Sequence, residues 1–195
     1  MVRTIHDAAQ AGHTDEVIRF ITQQGNRLNE RDTLGRTPLL AAVHGNKIDT
    51  ARMLVDAGAD INLRDARLDN LLLYASAEGM YDMVELAITA GADTRLTNRF
   101  GGTALIPAAD RGHVDIVELL LTRSDVDVNH INNLGWTALL EAVILGDGGP
   151  RQQQIVALLL QYGADPKIAD RDGITPLAHA SRHRYAEMER LLTQV

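Results

Sequence analysis

Seven histidines, 26 carboxylates and no cysteine are the groups from which this 195-residue chain could build chemistry. The missing thiol removes a disulfide framework, a thiolate zinc site and a cysteine nucleophile at once. His179 and His183 stand four residues apart, so a helix would place both imidazoles on one face, where they could share a metal. Zinc ordinarily takes a third protein ligand, and none lies near them in sequence. Ordinary surface histidines are the simpler reading. His13 and His113 each follow a glycine, and a structural hydrogen bond to a neighbouring turn suits them better than catalysis. Asp147-Gly148-Gly149 is too short to cradle a phosphate. The chain holds no Gly-x-Gly-x-x-Gly, no phosphate-binding loop, no Gly-x-Ser-x-Gly and no His-Glu-x-x-His. We expect no enzyme activity, no cofactor and no metal.

Charge and composition narrow the remaining classes. Nineteen Lys and Arg face 26 Asp and Glu, a formal net charge of −7, and the signs alternate along the chain. Nucleic-acid binding needs a basic footprint to neutralise phosphates, so it is not expected. The cations are mostly arginine, with only Lys47 and Lys167 as lysines, and arginine offers a planar fork for bidentate contacts. No apolar run approaches the ~20 residues that span a bilayer. The opening Met1-Val-Arg-Thr-Ile-His-Asp7 lacks the layout of a secretory signal, so a cytoplasmic location is expected.

The elements that hold these residues come from a repeat. Gly35-Arg-Thr37-Pro38-Leu39, Gly101-Gly-Thr103-Ala104-Leu105, Gly135-Trp-Thr137-Ala138-Leu139 and Gly173-Ile-Thr175-Pro176-Leu177 align, with Leu68-Asp-Asn70-Leu71-Leu72 between the first two. Their starts are 33, 33, 34 and 38 residues apart. Gly58-Ala-Asp60, Gly91-Ala-Asp93 and Gly163-Ala-Asp165 form a second series, with Gly25 in the corresponding place. Between the two series lie two apolar patterns. One is short and small, with Ala42, Ala75, Ala108, Ala142 and Ala180 five residues after the Thr or Asn. The other is bulky, as in Ile116-Val117-x-Leu119-Leu120-Leu121 and Ile155-Val156-x-Leu158-Leu159-Leu160. Both read as helices. Threonine caps the first by accepting an early backbone N–H, and proline beside it fills the first helical position. Gly79, Gly112 and Gly146, with Asn46 in the same place, close the first helix. Gly58, Gly91 and Gly163 close the second.

A repeat of this length with Thr-Pro-Leu opening its first helix resembles the ankyrin repeat. Arg99-Phe-Gly-Gly-Thr-Ala-Leu105 and Leu134-Gly-Trp-Thr-Ala-Leu-Leu-Glu-Ala142 are similar to compact stand-alone ankyrin proteins of bacteria. The resemblance implies an all-α solenoid of about six helix-turn-helix units with short β-hairpin fingers, a single domain over residues 1–195. The units are residues 1–34 (an N-terminal cap without the Thr-Pro-Leu opening), 35–67, 68–100, 101–134, 135–172 and 173–195 (a C-terminal cap). Capped ends point to a monomer.

Departures from the pattern carry their own expectations. In the third repeat Leu68, Asn70 and Leu71 replace glycine, threonine and proline, which predicts an altered, tilted finger. The fourth ends in Ser124-Asp125. The fifth holds five extra residues within 147–154, where Pro150 can begin a lengthened second helix. Glu141 and His179 occupy one position in adjacent repeats and are expected to face each other, with inter-repeat packing the simplest role.

By resemblance, the small first helices line the inner side of the stack and bend it into a groove. Residues at the finger tips, and the two positions before each first-helix closing residue, are free of core duty and report on partner choice. They include Arg36, His44, Arg67, Asp69, Glu78, Arg99, Phe100, Asp110, Arg111, Trp136, Ile144 and Leu145, with Leu34, Leu134, Arg171, Asp172, Ile174, Arg182 and His183. The only tryptophan and one of two phenylalanines are among them, and aromatics and arginine dominate interface hot spots. The centre of a protein-binding site is therefore placed at Phe100, Arg111, Trp136, Ile144 and Leu145. A second reading is a ligand- or metal-responsive regulator, marked by a deep pocket beside residues 147–154. A third is an effector acting on a host target through the same surface.

Overall fold

A computed structural model describes residues 4–23 and 27–194. Gly25 lies outside the described residues. Among the described residues twelve helices follow in pairs: α1 (Ile5–Ala11) and α2 (Thr14–Gln23), α3 (Pro38–His44) and α4 (Ile48–Asp56), α5 (Leu71–Glu78) and α6 (Tyr81–Thr89), α7 (Leu105–Asp110) and α8 (Val114–Arg123), α9 (Ala138–Ile144) and α10 (Pro150–Gln161), α11 (Pro176–His183) and α12 (Ala186–Thr193). The chain divides into two compact bodies, an N-terminal one of Met1–Ala75 with Met80–Asp93 and a C-terminal one of Ser76–Gly79 with Thr94–Val195.

Small residues explain why the first helices serve as the inner layer. In the N-terminal body α1 packs on α3, and in the C-terminal body α7 packs on α9 and α9 on α11. Ala8, Ala9, Ala41, Ala42, Ala108, Ala109, Ala142 and Ala180 are wholly buried at these contacts, since a methyl group lets backbones approach. The second helices bury one stripe only, such as Ile116, Val117, Leu119 and Leu120 of α8. Bulky leucines at the third position of the first helices, Leu40 and Leu140, complete the core.

The starts of the first helices follow the capping chemistry of the sequence with one exception. The hydroxyls of Thr37, Thr137 and Thr175 accept the backbone N–H three residues on. Asn70 does the same for Leu73 at 2.9 Å, so the third repeat keeps its cap. Thr4 opens α1 with a reciprocal capping box to Asp7, giving the first repeat the start its missing Thr-Pro-Leu concealed. The exception is the fourth repeat, where Thr103 does not cap. Pro107 stands where Ala41, Glu141 and His179 donate the first helical N–H to the threonine carbonyl. Proline has no such donor. Ile106 bonds to the Thr103 carbonyl instead, α7 begins at Leu105, and the buried Thr103 hydroxyl has no hydrogen-bond partner.

The β-hairpin detail of the fingers is not confirmed: among the described residues there is no strand. Each finger is a five-residue turn whose first residue donates its N–H to the carbonyl of the fifth and accepts the N–H of the fourth, as in Asp32 with Arg36 and Gly35. Five copies start at Asp32, Asp65, Asn98, Asn132 and Asp170. The third repeat's finger is not altered in this pattern. Leu68 takes the left-handed φ of 63° that glycine holds elsewhere, and Asp65 N–H still bonds Asp69 at 2.8 Å.

Gly146 also departs from expectation. It is not left-handed; Gly148 is, at φ 71°. A side chain at Gly146 would meet Gln152 Cγ at 2.4 Å and the Ala142 carbonyl at 2.5 Å, so space and not φ demands glycine there. The inserted residues do lengthen the second helix, and Pro150 is its first residue after the cap Gly149.

Candidate functional site

Each finger is held by one side chain at its base. The Oδ1 of Asp32, Asp65, Asn98, Asn132 or Asp170 accepts two backbone N–H groups, those of the third and fifth finger residues. This is the Asx turn, in which a short carboxylate or amide mimics a peptide carbonyl. Sequence reading took the glycines as the turn signal and missed the Asp or Asn three residues earlier, whose recurrence would have revealed it.

What satisfies the other end of that side chain differs between fingers. Arg36 grips Asp32 Oδ2 through Nε and Nη2 at 2.8 Å each. Burial pushes the Asp32 carboxyl up, but the N–H and guanidinium of Arg36 and the Leu34 N–H outweigh it and hold it below the usual range. His179 Nε2 bonds Asp170 Oδ2 at 2.7 Å, and Asp170 is held low, chiefly by the Ile174 N–H. Asn132 Nδ2 donates to Glu141 Oε1 at 2.7 Å. Glu141 and His179 thus share a repeat position, and each bonds the base of its own finger, not the other residue.

Glu141 is only 7% exposed. Burial first, and then the charge of Asp110 on α7, raise its carboxyl to about 7 against the opposing Asn132 hydrogen bond. Asp110 is itself raised by burial, with Arg111 opposing. Arg111 directs its guanidinium elsewhere: Nη1 reaches the Ala77 carbonyl and Glu78 Oε1, each at 2.7 Å. The floor of this face, on α7 and α9, therefore carries an acidic pair with one neutral hydrogen bond.

The rim is apolar. Asn133 N–H bonds the Phe100 carbonyl at 2.9 Å, which sets the tips of the two fingers side by side. Phe100 and Leu134 occupy the third position of those tips and are 54% and 50% exposed; Ile131 and Leu145 are each 51% exposed. Ile131, just before the finger, escaped sequence reading because it lies outside the tip positions. Arg99 lies over the Phe100 ring, 4.4 Å from its centroid, and Arg171 donates to the Asn133 carbonyl. Trp136 and Ile144 are half-buried. Trp136 closes its finger through backbone bonds to Asn132.

The other expected positions belong to the N-terminal body or to inter-repeat packing. Arg36 is committed to Asp32, His44 stacks on Tyr74 with centroids 3.9 Å apart, Arg67 is an exposed tip, and Asp69 is half-buried within its finger. His113 Nε2 reaches the Ala77 carbonyl at 3.2 Å, the structural bond expected of it. His13, just before α2, instead pairs with Glu16 of that helix at 3.5 Å. His183 stacks on Tyr185, away from His179's partner Asp170. Among the described residues no three His, Asp or Glu groups gather as metal ligands. The 147–154 insertion is filled from its own repeat and the next: Gln153 bonds the Gly148 carbonyl at 2.8 Å, and Tyr185 bonds that of Gly146 at 3.0 Å. A side chain at Gly148 would lie 2.3 Å from the Tyr185 ring.

Paired helices joined by Asx-turn fingers, with alanine-rich inner contacts, define a helical repeat protein. A family description, ankyrin repeats in three copies, matches residues 3–65 and 72–170, and the chain belongs to the ankyrin-repeat family. It is similar to a crystallised ankyrin repeat domain from Acinetobacter baumannii AYE, at 50% identity and a TM-score of 0.93, over 97% of this chain and 96% of that one. It is also similar to the ankyrin repeat protein EF0377, at 40% identity and a TM-score of 0.92, over 97% and 96% of the two chains. A putative ankyrin repeat protein of Escherichia coli K12, YahD, is 47% identical over 72 residues. That match spans 37% of this chain and 36% of YahD. Ankyrin repeats are generally protein–protein interaction modules and typically non-enzymatic. Among the described residues no helix is long and apolar enough to cross a membrane.

Proposed function

We propose that this chain is a non-enzymatic recognition module, and that the C-terminal body presents the face on which a partner protein docks. Phe100, Arg111, Trp136, Ile144 and Leu145 form its centre, joined by Leu134 and Ile131. The observation that carries this reading is the pair of half-exposed apolar tips, Phe100 and Leu134, fixed side by side by a backbone bond. Neither is needed by the core, and both sit in turns whose geometry depends only on the Asx residue and the left-handed glycine. Large apolar groups held rigidly on the surface are what interface hot spots require.

A specific interface needs roughly 800 Å² per partner, which fingers and first helices of a few neighbouring repeats supply. The net charge of −7 favours a neutral or basic partner and disfavours nucleic acid. The test is affinity capture from native lysate with wild type and Trp136→Arg, after circular dichroism has shown equal folding. The partner should be lost with Trp136→Arg; its retention overturns the reading.

A further inference from the structure

We infer that the segment docking on this face carries an aspartate or glutamate beside a large apolar residue, its carboxylate gripped by Arg99 and its apolar neighbour laid across Phe100 and Leu134. This deepens the proposed function and rests on it. The argument is charge complementarity at the finger tips of the C-terminal body. Three of these tips are tied in a row. Asn133 N–H bonds the Phe100 carbonyl at 2.9 Å, and the Arg171 guanidinium donates to the Asn133 carbonyl. The row therefore runs Arg99, Phe100, Leu134, Arg171, two half-exposed apolar groups between two exposed cations.

The two cations differ in what they have left to give. Arg171 is spent on the Asn133 carbonyl, and the exposed Asp172 follows it on the same tip. The Arg99 guanidinium lies over the Phe100 ring, 4.4 Å from its centroid, and among the described residues it has no hydrogen-bond or ion-pair partner. Fingers 32–36, 65–69 and 132–136 carry the neutral Thr33, Ala66 and Asn133 at this position. Seated over a ring, a guanidinium is steadied while its N–H fork stays available, and a carboxylate matches that fork in bidentate geometry. Apolar groups that shed water on docking strengthen such a pair. Phe100 and Leu134 also make the occupant a protein segment, since a free anion would leave both in water. A polyphosphate chain is repelled by the net charge of −7, whereas one carboxylate on an otherwise neutral or basic partner meets no such barrier.

A random peptide library displayed on phage and panned against the whole chain tests this, with circular dichroism showing that each variant folds as wild type does. Recovered peptides should carry Asp or Glu beside large apolar residues and should lose binding with Trp136→Arg. Their affinity should fall at least roughly tenfold with Arg99→Ala, the loss of a charge-assisted hydrogen bond. Replacing the peptide's acid by lysine should restore binding to Arg99→Glu. Peptides that need Trp136 but carry no acid, or that lose less than this with Arg99→Ala, overturn this inference while leaving the docking face standing. Peptides indifferent to Trp136→Arg, whatever they require of Arg99, overturn both, as does no enrichment at all.

Discussion

The fingers at 32–36 and 132–136 are built on one plan and put to opposite uses. Both are closed by an N–H from the first residue to the last carbonyl, and both hang on one Asx oxygen. In the first, the fifth residue is Arg36, which folds back on Asp32 and settles the charge of the turn internally. The floor position there is Ala41, wholly buried and mute. In the second, the fifth residue is Trp136, the base is a neutral Asn132, and the floor is the carboxylate Glu141. The first finger is electrically complete. The second leaves a buried acid and half-exposed apolar groups, the features on which the proposed docking face rests.

Five substitutions would break or sharpen that contrast. The largest effect belongs to Asn132→Ala, which strands the N–H groups of Leu134 and Trp136 and removes Glu141's donor. Chemical denaturation should show a loss of about 3 kcal/mol. Asp32→Asn keeps the turn acceptor and loses only the Arg36 pair, so it should fall by less than about 1 kcal/mol.

Glu141→Gln comes next, and its effect depends on pH. The folded carboxyl sits at about 7 against an ordinary 4.5, so the folded state holds a proton that the unfolded chain releases between those values. Stability is therefore full below the unfolded value and is lost as pH rises through about 7. Thermal unfolding across that window should show a declining wild type and a flatter variant. Above it the variant should be more stable by up to about 3 kcal/mol. Equal slopes would show that Glu141 is already compensated, and the contrast between the fingers would weaken.

The smallest effects concern the turn itself. Gly35→Ala places a Cβ 3.0 Å from the Ala66 nitrogen at φ 77°, and thermal unfolding should register a loss of about 1 kcal/mol. Leu68→Gly, at the equivalent left-handed position, should instead gain roughly 0.5 kcal/mol, since relief of the backbone exceeds the lost chain entropy.

Much of this was legible along the chain. Repeat length, alanine positions and the Thr-Pro-Leu openings located both helices of nearly every repeat, because helical period and capping are local properties. Reading failed where a neighbour's chemistry intervened. Thr103 looks like any other cap until Pro107 withdraws the first helical N–H. Gly146 looks like a helix-closing glycine, yet Gln152 across the insertion dictates its place. Leu68 points to an altered, tilted finger, but the Asx side chain of Asp65 holds the turn and imposes a left-handed leucine.

The amino-acid order alone settled which segments are helical and which small residues let successive first helices touch, since each depends on spacing within a few residues. Only the packed structure decided which charges are spent and which are left over. Arg36 at the end of its finger, and His179 and Glu141 at one shared helix position, each reach the Asx residue of their own finger, yet only the first two meet a carboxylate there. The reason is that electrostatic balance is a property of separations and burial across helices, here Glu141 on α9 meeting Asp110 on α7.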